Sequence, residues 1–535
     1  MAEPKEVTTQ YAVAKASTIL TGRKLVLAHI GFLLSVLCFS LDQTIVTTAL
    51  PKLASEFRAL DRLPWVVTAY LLTTAGLMLF FGQILTIARA KWIYVTCIII
   101  FECGSIVCGV ARSMDVLIFG RAVQGVGAAG MFTSIITILS QITDLSTRPL
   151  LFGTFGAVFG CSSVLGPLLG GAFTDHVTWR WCFFINLPLG GLSLLAALAF
   201  QPNTLPPRKS YYASMTTFQK WASLDWFGGV LSLASIICLL LPLQWGGVTK
   251  PWDDKAVIAL FVTFGVIFIA FITWEYHKGE RAMLPLSLLR NRTQVGASGG
   301  AFMARIAFLS ATYYLPFYYQ AKGRSASQSG IDVIPFMLSI VLGSLIGSTL
   351  VKRTGHYWTL LVTGPLIGAV GAGLMFTVDE TTPTPKLIGY QILFGIGSGL
   401  AVQLAMLSIQ AEYADRVSLI PQASSFNQFC QMLGGAIGVA IAGTIFSNQL
   451  SKNLDIYAHS LPPNIIHGVK QSVTVIFELP PEMRAAAVKA YIKSLDYVFI
   501  LAVPACGVWA LLGLMVRNWN LKRRAEETGY RGGVQ

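Results

Sequence analysis

The chain of 535 residues is 54% apolar by residue type, contains 50 glycines, and holds only 12% Asp, Glu, Lys and Arg, about half the share usual in soluble proteins. A water-soluble globule needs more surface charge and does not repeat apolar runs of about 20 residues from end to end, so the composition excludes one. The net charge of +14 is spread through short gaps between apolar runs, which excludes a nucleic-acid partner and points to anionic lipid.

In chain order, residues 1–24 are polar and mixed in charge, too long a lead for a cleaved leader, so the run that follows reads as a signal-anchor first span. Runs long enough to cross about 30 Å of hydrocarbon as helices fall near 24–48, 62–86, 92–111, 115–139, 149–173, 180–200, 225–244, 255–275, 294–318, 329–350, 358–377, 387–410, 426–446 and 496–516. Those at 225–244 and 358–377 are interrupted by Pro, Gly and Trp. The expected architecture is therefore an all-α polytopic membrane protein with fourteen transmembrane helices, and an even count puts both termini on one side.

Basic residues orient it. Arg89 and Lys91, then Arg208, Lys209 and Lys220, then Lys278, Arg281, Arg290 and Arg292, then Lys352 and Arg353 occupy alternate loops, and Arg517, Lys522, Arg523 and Arg524 follow the last span. By the positive-inside rule these loops and both termini are cytoplasmic. The sequon Asn291-Arg-Thr then faces the cytoplasm and reads as a chance match. The segment near 447–495 becomes an extracellular loop, with Pro462, Pro463, Pro480 and Pro481 leading into an amphipathic surface helix over 483–495.

All nine Cys lie inside or at the edge of apolar runs, with no C-x-x-C spacing, so neither a disulfide framework nor a metal site is expected. The sequence carries no G-x-x-x-x-G-K-[ST] loop, no H-E-x-x-H pattern and no nucleophile–base spacing. The expectation is a non-enzymatic protein with no cofactor and no ATP-driven step.

Charges inside spans are costly and therefore informative. Asp42 lies in span one within Leu41-Asp42-Gln43-Thr44-Ile45-Val46; it is either a proton-carrying carboxylate or a structural clamp at the helix end. Arg121, in Gly120-Arg121-Ala122-Val123-Gln124-Gly125, either pairs with such a carboxylate or snorkels to the surface. Arg305 in span nine has the same two readings, as a cavity-lining or snorkelling residue. Glu275, beside Trp274 and Tyr276, reads as an interfacial anchor. Gln43, Gln124, Asn186, Asn427 and Gln428 are candidate substrate-binding groups or interhelical hydrogen-bond formers. Tyr314 and Phe317, within the cluster Tyr313, Tyr314, Phe317, Tyr318 and Tyr319, offer either a stacking surface or an interfacial belt. Gly166-Pro167, followed by Gly170 and Gly171, marks a helix able to bend, because Pro removes an internal hydrogen bond.

These motifs resemble the major facilitator superfamily, and within it the fourteen-span drug:proton antiporter family 2 of fungi, the toxin and secondary-metabolite efflux type. The span-one motif through Ala49-Leu50-Pro51 resembles that family's signature. Gly120-Arg121 through Gln124-Gly125-Val126-Gly127 resembles the motif of its proton-coupling arginine, and Gly166-Pro167-Leu168-Leu169-Gly170-Gly171 its antiporter motif. The likeness continues through Trp179-Arg180-Trp181-Cys182-Phe183-Phe184-Ile185-Asn186-Leu187-Pro188, Leu224-Asp225-Trp226, Gln244-Trp245-Gly246-Gly247 and Tyr314-Leu315-Pro316-Phe317-Tyr318, covering roughly residues 25 to 516.

The resemblance implies two six-helix bundles, at 25–200 and 291–516, joined by a linker and two inserted helices at 201–290 and ending in a basic cytoplasmic tail at 517–535. It implies alternating access, proton-coupled export of small hydrophobic or amphiphilic organic molecules, and a monomer in the plasma membrane. Carriage of a siderophore or of basic amino acids at the vacuolar membrane is the alternative. One position departs from the family pattern: in Gly82-Gln83-Ile84-Leu85-Thr86-Ile87-Ala88-Arg89-Ala90-Lys91, Thr86 stands where the fullest form of the loop has a latch Asp. Arg89 or Lys91 then has to act on a helix C-terminus or on lipid headgroups.

Overall fold

The computed structural model describes residues 19–59, 62–207, 215–246, 250–458, 462–471 and 473–528. Most of the N-terminal segment, Arg208, Lys209, Gly247 and the end of the tail lie outside the described residues. Helices dominate, and among the described residues the sole β feature is an isolated bridge between Gly246 and Lys250.

The first bundle comprises α1 (Gly22–Phe57), α2 (Pro64–Ile87), α3 (Ala90–Gly109), α4 (Met114–Ile142), α5 (Arg148–His176), a single turn α6 (Trp181–Phe184) and α7 (Asn186–Phe200). A short α8 (Thr217–Ala222) precedes the inserted pair α9 (Trp226–Trp245) and α10 (Lys255–Lys278). The second bundle holds α11 (Arg292–Ala321), α12 (Ala326–Asp332), α13 (Ile334–Thr354), α14 (Trp358–Phe376), α15 (Thr384–Val402), α16 (Leu404–Glu412), α17 (Ile420–Tyr457), α18 (Pro463–Gln471) and α19 (Pro481–Met515), with α20 (Leu521–Glu527) in the tail. Helix starts follow local chemistry. Pro stands in the first turn of α2, α5, α13, α15, α17 and α19, where a missing N–H costs nothing. Ser113, Asp225, Asp254 and Asn291 cap α4, α9, α10 and α11 through their side chains.

Among the described residues, 13 helical segments are long and apolar enough to cross a membrane. The fourteenth expected span, α11, has 30 residues, about 45 Å at 1.5 Å per residue. Its Thr, Gln, Ser, Gly and Arg content keeps it from qualifying by composition, and it packs between α17 and α19 inside the second bundle. The other correction concerns 483–495, which is the leading part of the unbroken 35-residue α19 rather than a separate surface helix. Pro480 and Pro481 start that helix, and Ala487, Ala490, Ile492 and Leu495 are buried along it.

The two bundles repeat one packing scheme. The pairs α1–α5, α1–α7, α2–α4 and α3–α4 recur as α11–α17, α11–α19, α13–α15 and α14–α15. The bundles meet through α5 against α13 and α2 against α17, and the inserted α9 lies on α2.

The ends of the molecule differ. At the end where the described chain starts and stops, near residues 19 and 528 and called the termini end below, one buried apolar cluster runs through both bundles, from Leu151 and Phe152 to Val351, Leu404, Leu407 and Ala423. A Cβ at Gly82 would overlap Ser425, and Cβ atoms at Gly153 and Gly156 would crowd Ser348 and Ser344, so these glycines set the closeness of the bundles. Arg148 Nη1 donates to Gln410 Oε1 at 3.1 Å, and Gln422 Nε2 donates to the Ala282 carbonyl at 3.0 Å. At the far end each bundle has its own cluster, around Leu41, Ile45, Val66 and Trp179 in the first and around Leu315, Phe336, Leu450 and Phe499 in the second. Toward that end α5 also touches α12, with Val164 reaching the second cluster.

Candidate functional site

Asp42 and Arg121 are brought together inside the first bundle. Arg121 is 1% exposed and Asp42 0%, and Arg121 Nη1 reaches Asp42 Oδ2 at 2.5 Å. The guanidinium also donates from Nε to the Val66 carbonyl at 2.8 Å and from Nη1 to Gln124 Oε1 at 2.9 Å. Its flat face lies over the Tyr70 ring, 4.4 Å from the centroid. The second Asp42 oxygen accepts from Gln124 Nε2 at 3.1 Å and Asn186 Nδ2 at 3.3 Å. Ser105 Oγ accepts from both amides, closing the network. Four of the sequence candidates, Asp42, Arg121, Gln124 and Asn186, thus form one polar group between α1, α3, α4 and α7. Here Arg121 is a buried partner, and the snorkelling reading does not hold.

Local sequence makes this possible. Arg121 and Gln124 are three apart on α4 and share a face, while Gly120, Gly125 and Gly127 let α2 and α3 close over them. Charged groups buried at this depth need full hydrogen bonding, which the Val66 carbonyl and the two amides supply.

The remaining candidates lie elsewhere. Gln43 turns back onto its own helix, donating to the Phe39 carbonyl at 3.3 Å. Gly166 and Gly170 pack on α1, where a Cβ would overlap Thr44 and Thr48, and Pro167 lies inside α5 between them, while Gly171 faces open space. In the second bundle Arg305 is half-buried, runs beside Gly435 and sits 5.3 Å from the Phe308 ring centroid. Tyr314 packs near Phe317 and Phe446, at 5.9 and 5.6 Å between centroids, and Phe317 is 37% exposed. Asn427 and Gln428 are buried on α17, and Asn427 Oδ1 has no partner among the described residues. Among the described residues no hydrogen bond, ion pair or ring contact joins these second-bundle groups to the Asp42–Arg121 network.

Three features escaped sequence reasoning. Glu275 is fully buried, its Oε2 accepting from the Leu284 amide at 2.6 Å, because residues 281–284 fold back over the end of α10; it is not an interfacial anchor. Arg148, at the first turn of α5, is buried and donates to the carbonyls of Ser140 and Thr143 that end α4, as well as to Gln410. Glu102, mid-span in α3, is a further acidic side chain inside the first bundle. Its charge within an apolar run was the signal available. In the loop with Thr86, Lys91 Nζ donates to the Leu198 and Gln201 carbonyls at 3.0 and 2.8 Å, capping the C-terminus of α7. All nine cysteines are free, and among the described residues no cluster of three His, Cys, Asp or Glu is placed to hold a metal.

Comparison with known proteins gives the geometry its setting. The family model described as Major Facilitator Superfamily matches residues 32–439. Similar curated proteins are the MFS-type transporter astH of Aspergillus oryzae, 39% identical over 498 residues covering 93% of this chain and 87% of that one, and the efflux pump aflT of Aspergillus parasiticus, 37% identical over 511 residues covering 95% and 98%. The fold also resembles the crystal structure of the human organic anion transporter MFSD10, with a TM-score of 0.56 and 14% identity over 93% of this chain and 100% of that one. With its matching family model, full-length relatives and paired bundles, the chain belongs to the major facilitator superfamily.

Proposed function

We propose that this protein is a proton-coupled exporter of small hydrophobic or amphiphilic organic molecules, working by alternating access. The observation that carries the reading is the buried Asp42–Arg121 pair, the one fully enclosed ion pair among the described salt bridges. Protonation of Asp42 removes the charge that Arg121 balances, so loading a proton and rearranging α1 against α4 are a single event. The flanking glycines of Pro167 hold α5 directly on α1, which ties that event to the helix forming half of the bundle interface. The efflux names carried by several relatives support the direction of transport.

With the termini cytoplasmic in a plasma membrane, closure at the termini end and separation at the far end describe an outward-open state. The half-buried Arg305 and Tyr314 and the exposed Phe317 are offered as substrate contacts, and the protein acts as a monomer without a cofactor. The test pairs two measurements. Culture fluid from cells with and without the protein identifies the exported compound by its loss. Proteoliposomes with an imposed pH gradient then accumulate that compound with the wild type and fail to with Asp42→Asn. Equal accumulation by the variant removes Asp42 from the mechanism.

A further inference from the structure

The first bundle holds a second acidic side chain within the membrane that the Asp42–Arg121 network does not use. Both carboxylate oxygens of Glu102 are buried, and neither has a hydrogen-bond partner among the described residues. The carboxyl points at Gly190 of α7, where a Cβ would overlap Glu102 Oε1. An ionised carboxylate with neither donor nor counter-ion is costly in such surroundings, whereas the protonated group is neutral.

Its position is more telling than its isolation. Glu102 is three residues from Ser105, which receives both amides bound to Asp42, so it stands one helical turn from that network on the termini side. It is also near enough to Asp42 and Cys38 to interact with them electrostatically. Farther toward the termini end, Tyr94, Ser35 and Ser193 form a hydroxyl cluster, with Tyr94 Oη 2.7 Å from Ser35 Oγ and 3.0 Å from Ser193 Oγ. Gln201 comes next, its side-chain amide buried without a partner and its carbonyl bound by Lys91 at 2.8 Å.

These residues share faces. Ser35, Cys38 and Asp42 recur at helical spacing on α1, Tyr94, Glu102 and Ser105 on α3, and Asn186, Gly190 and Ser193 on α7, with Gln201 following at the same phase. The result is a polar seam from the ion pair to the termini end. The groups near Glu102 are Asp42 and Cys38 from α1 and Gly190 from α7, and the cation nearest the network, Arg121 of α4, is committed to Asp42.

We propose that Glu102 is a second proton-carrying residue, relaying a proton between Asp42 and the termini end along the α1–α3–α7 seam. The proposal rests on the proton-coupled reading above. In the step, the O–H bond of a protonated Asp42 breaks and an O–H bond forms on a Glu102 oxygen. The electron pair left on Asp42 is the carboxylate that Arg121 binds. The structure has the arrangement that follows this transfer, with Asp42 in its ion pair and Glu102 alone. The proton then leaves Glu102 through the hydroxyls of Tyr94, Ser35 and Ser193, each releasing its own proton as it accepts one, and ends on water at the termini end, restoring the Glu102 carboxylate for the next cycle.

Infrared spectroscopy on the full chain in lipid nanodiscs tests this with the proton itself as probe. The wild type should show a protonated-carboxyl stretch that Glu102→Gln removes, Glu102→Asp retains at a shifted frequency, and Asp42→Asn displaces. Tyr94→Phe, which keeps shape and loses the hydroxyl, should slow deuterium exchange of that band on the order of tenfold or more. A spectrum identical in wild type and Glu102→Gln overturns the assignment, and an exchange rate unchanged by Tyr94→Phe overturns the route. If Glu102→Gln folds poorly, the Glu102→Asp band decides the first question alone, an unshifted band being the overturning result. A wild type that fails the pH-gradient assay overturns the coupling reading instead, which separates the two failures.

Discussion

Replacing the Asp42–Arg121 pair one member at a time and then together should reveal a large non-additive energy. Arg121 is 1% exposed, and apart from Asp42 its hydrogen-bond acceptors are the Val66 carbonyl and Gln124 Oε1. Neither of those is charged. Asp42→Asn therefore strands a buried guanidinium, which should cost about 3–5 kcal/mol. Arg121→Gln strands Asp42, but Gln124 and Asn186 still donate to it, so the loss should be smaller, about 2–3 kcal/mol. The double variant is neutral and can pair amide to amide, so it should lose less than the two singles summed by about 3 kcal/mol. Reversible unfolding of the purified protein in mixed micelles measures all three, and gradient-driven transport should be lost in each of them. Additivity within about 0.5 kcal/mol would refute the idea that the two side chains form an electrostatic unit.

Other expectations follow from the closed end and its supports. Gly156→Val should crowd Ser344 across the bundle interface and disfavour the closed termini end by about 1–3 kcal/mol, read as a longer spin-label distance between the termini-end tips of α5 and α13. Lys91→Met removes the cap on the α7 carbonyls and should cost about 1 kcal/mol, measured by thermal unfolding. Trp519→Ala removes the ring on which Arg517 and Arg524 stack at 4.0 and 4.1 Å, and which donates to Glu412. It should cost about 3 kcal/mol and free the tail to protease. Asn291→Ala removes the cap of α11 and its bond to Glu412, so the melting temperature should fall; glycosidase treatment of the wild type should leave its mobility unchanged.

How much of this could be read beforehand depended on whether a signal was local. Span positions follow from apolar runs, and the Asp42 and Arg121 motifs each advertise a charge in hydrocarbon, so pairing them needed only the resemblance. Glu102 lay in an equally apolar run but outside a motif, and the feature that gives it meaning, a side-chain-free Gly190 on another helix, is non-local. Glu275 was misread because its neighbours Trp274 and Tyr276 look interfacial, while its burial comes from a backbone return at 281–284 that no periodicity encodes. Arg148 stands at the edge of a span with no motif around it, and only the meeting of α5 with the second bundle turns it into a contact with Gln410. The conformational state was not legible at all, since the same apolar faces serve either closed end.

For the proton-coupled cycle proposed above, the energies of the two ends bear on whether one proton is enough to drive it. Separating the bundles at the termini end breaks the Arg148–Gln410 contact and one of the two bonds by which the 281–282 segment bridges them, Gln83 to the Arg281 carbonyl or Gln422 to the Ala282 carbonyl, each worth about 1 kcal/mol net. Closing the far end recovers part of that, because its two separate apolar clusters gain contact across the gap. A proton falling through one pH unit and 100 mV releases about 1.4 and 2.3 kcal/mol, close to 4 kcal/mol together, which covers the polar latch. A latch much stronger than this would stall on a single proton, and a much weaker one would leak. Thr86, whose hydroxyl donates to the Gln83 carbonyl of its own helix, fits a latch of this modest strength, because an added interbundle charge pair at that position would raise the cost of opening.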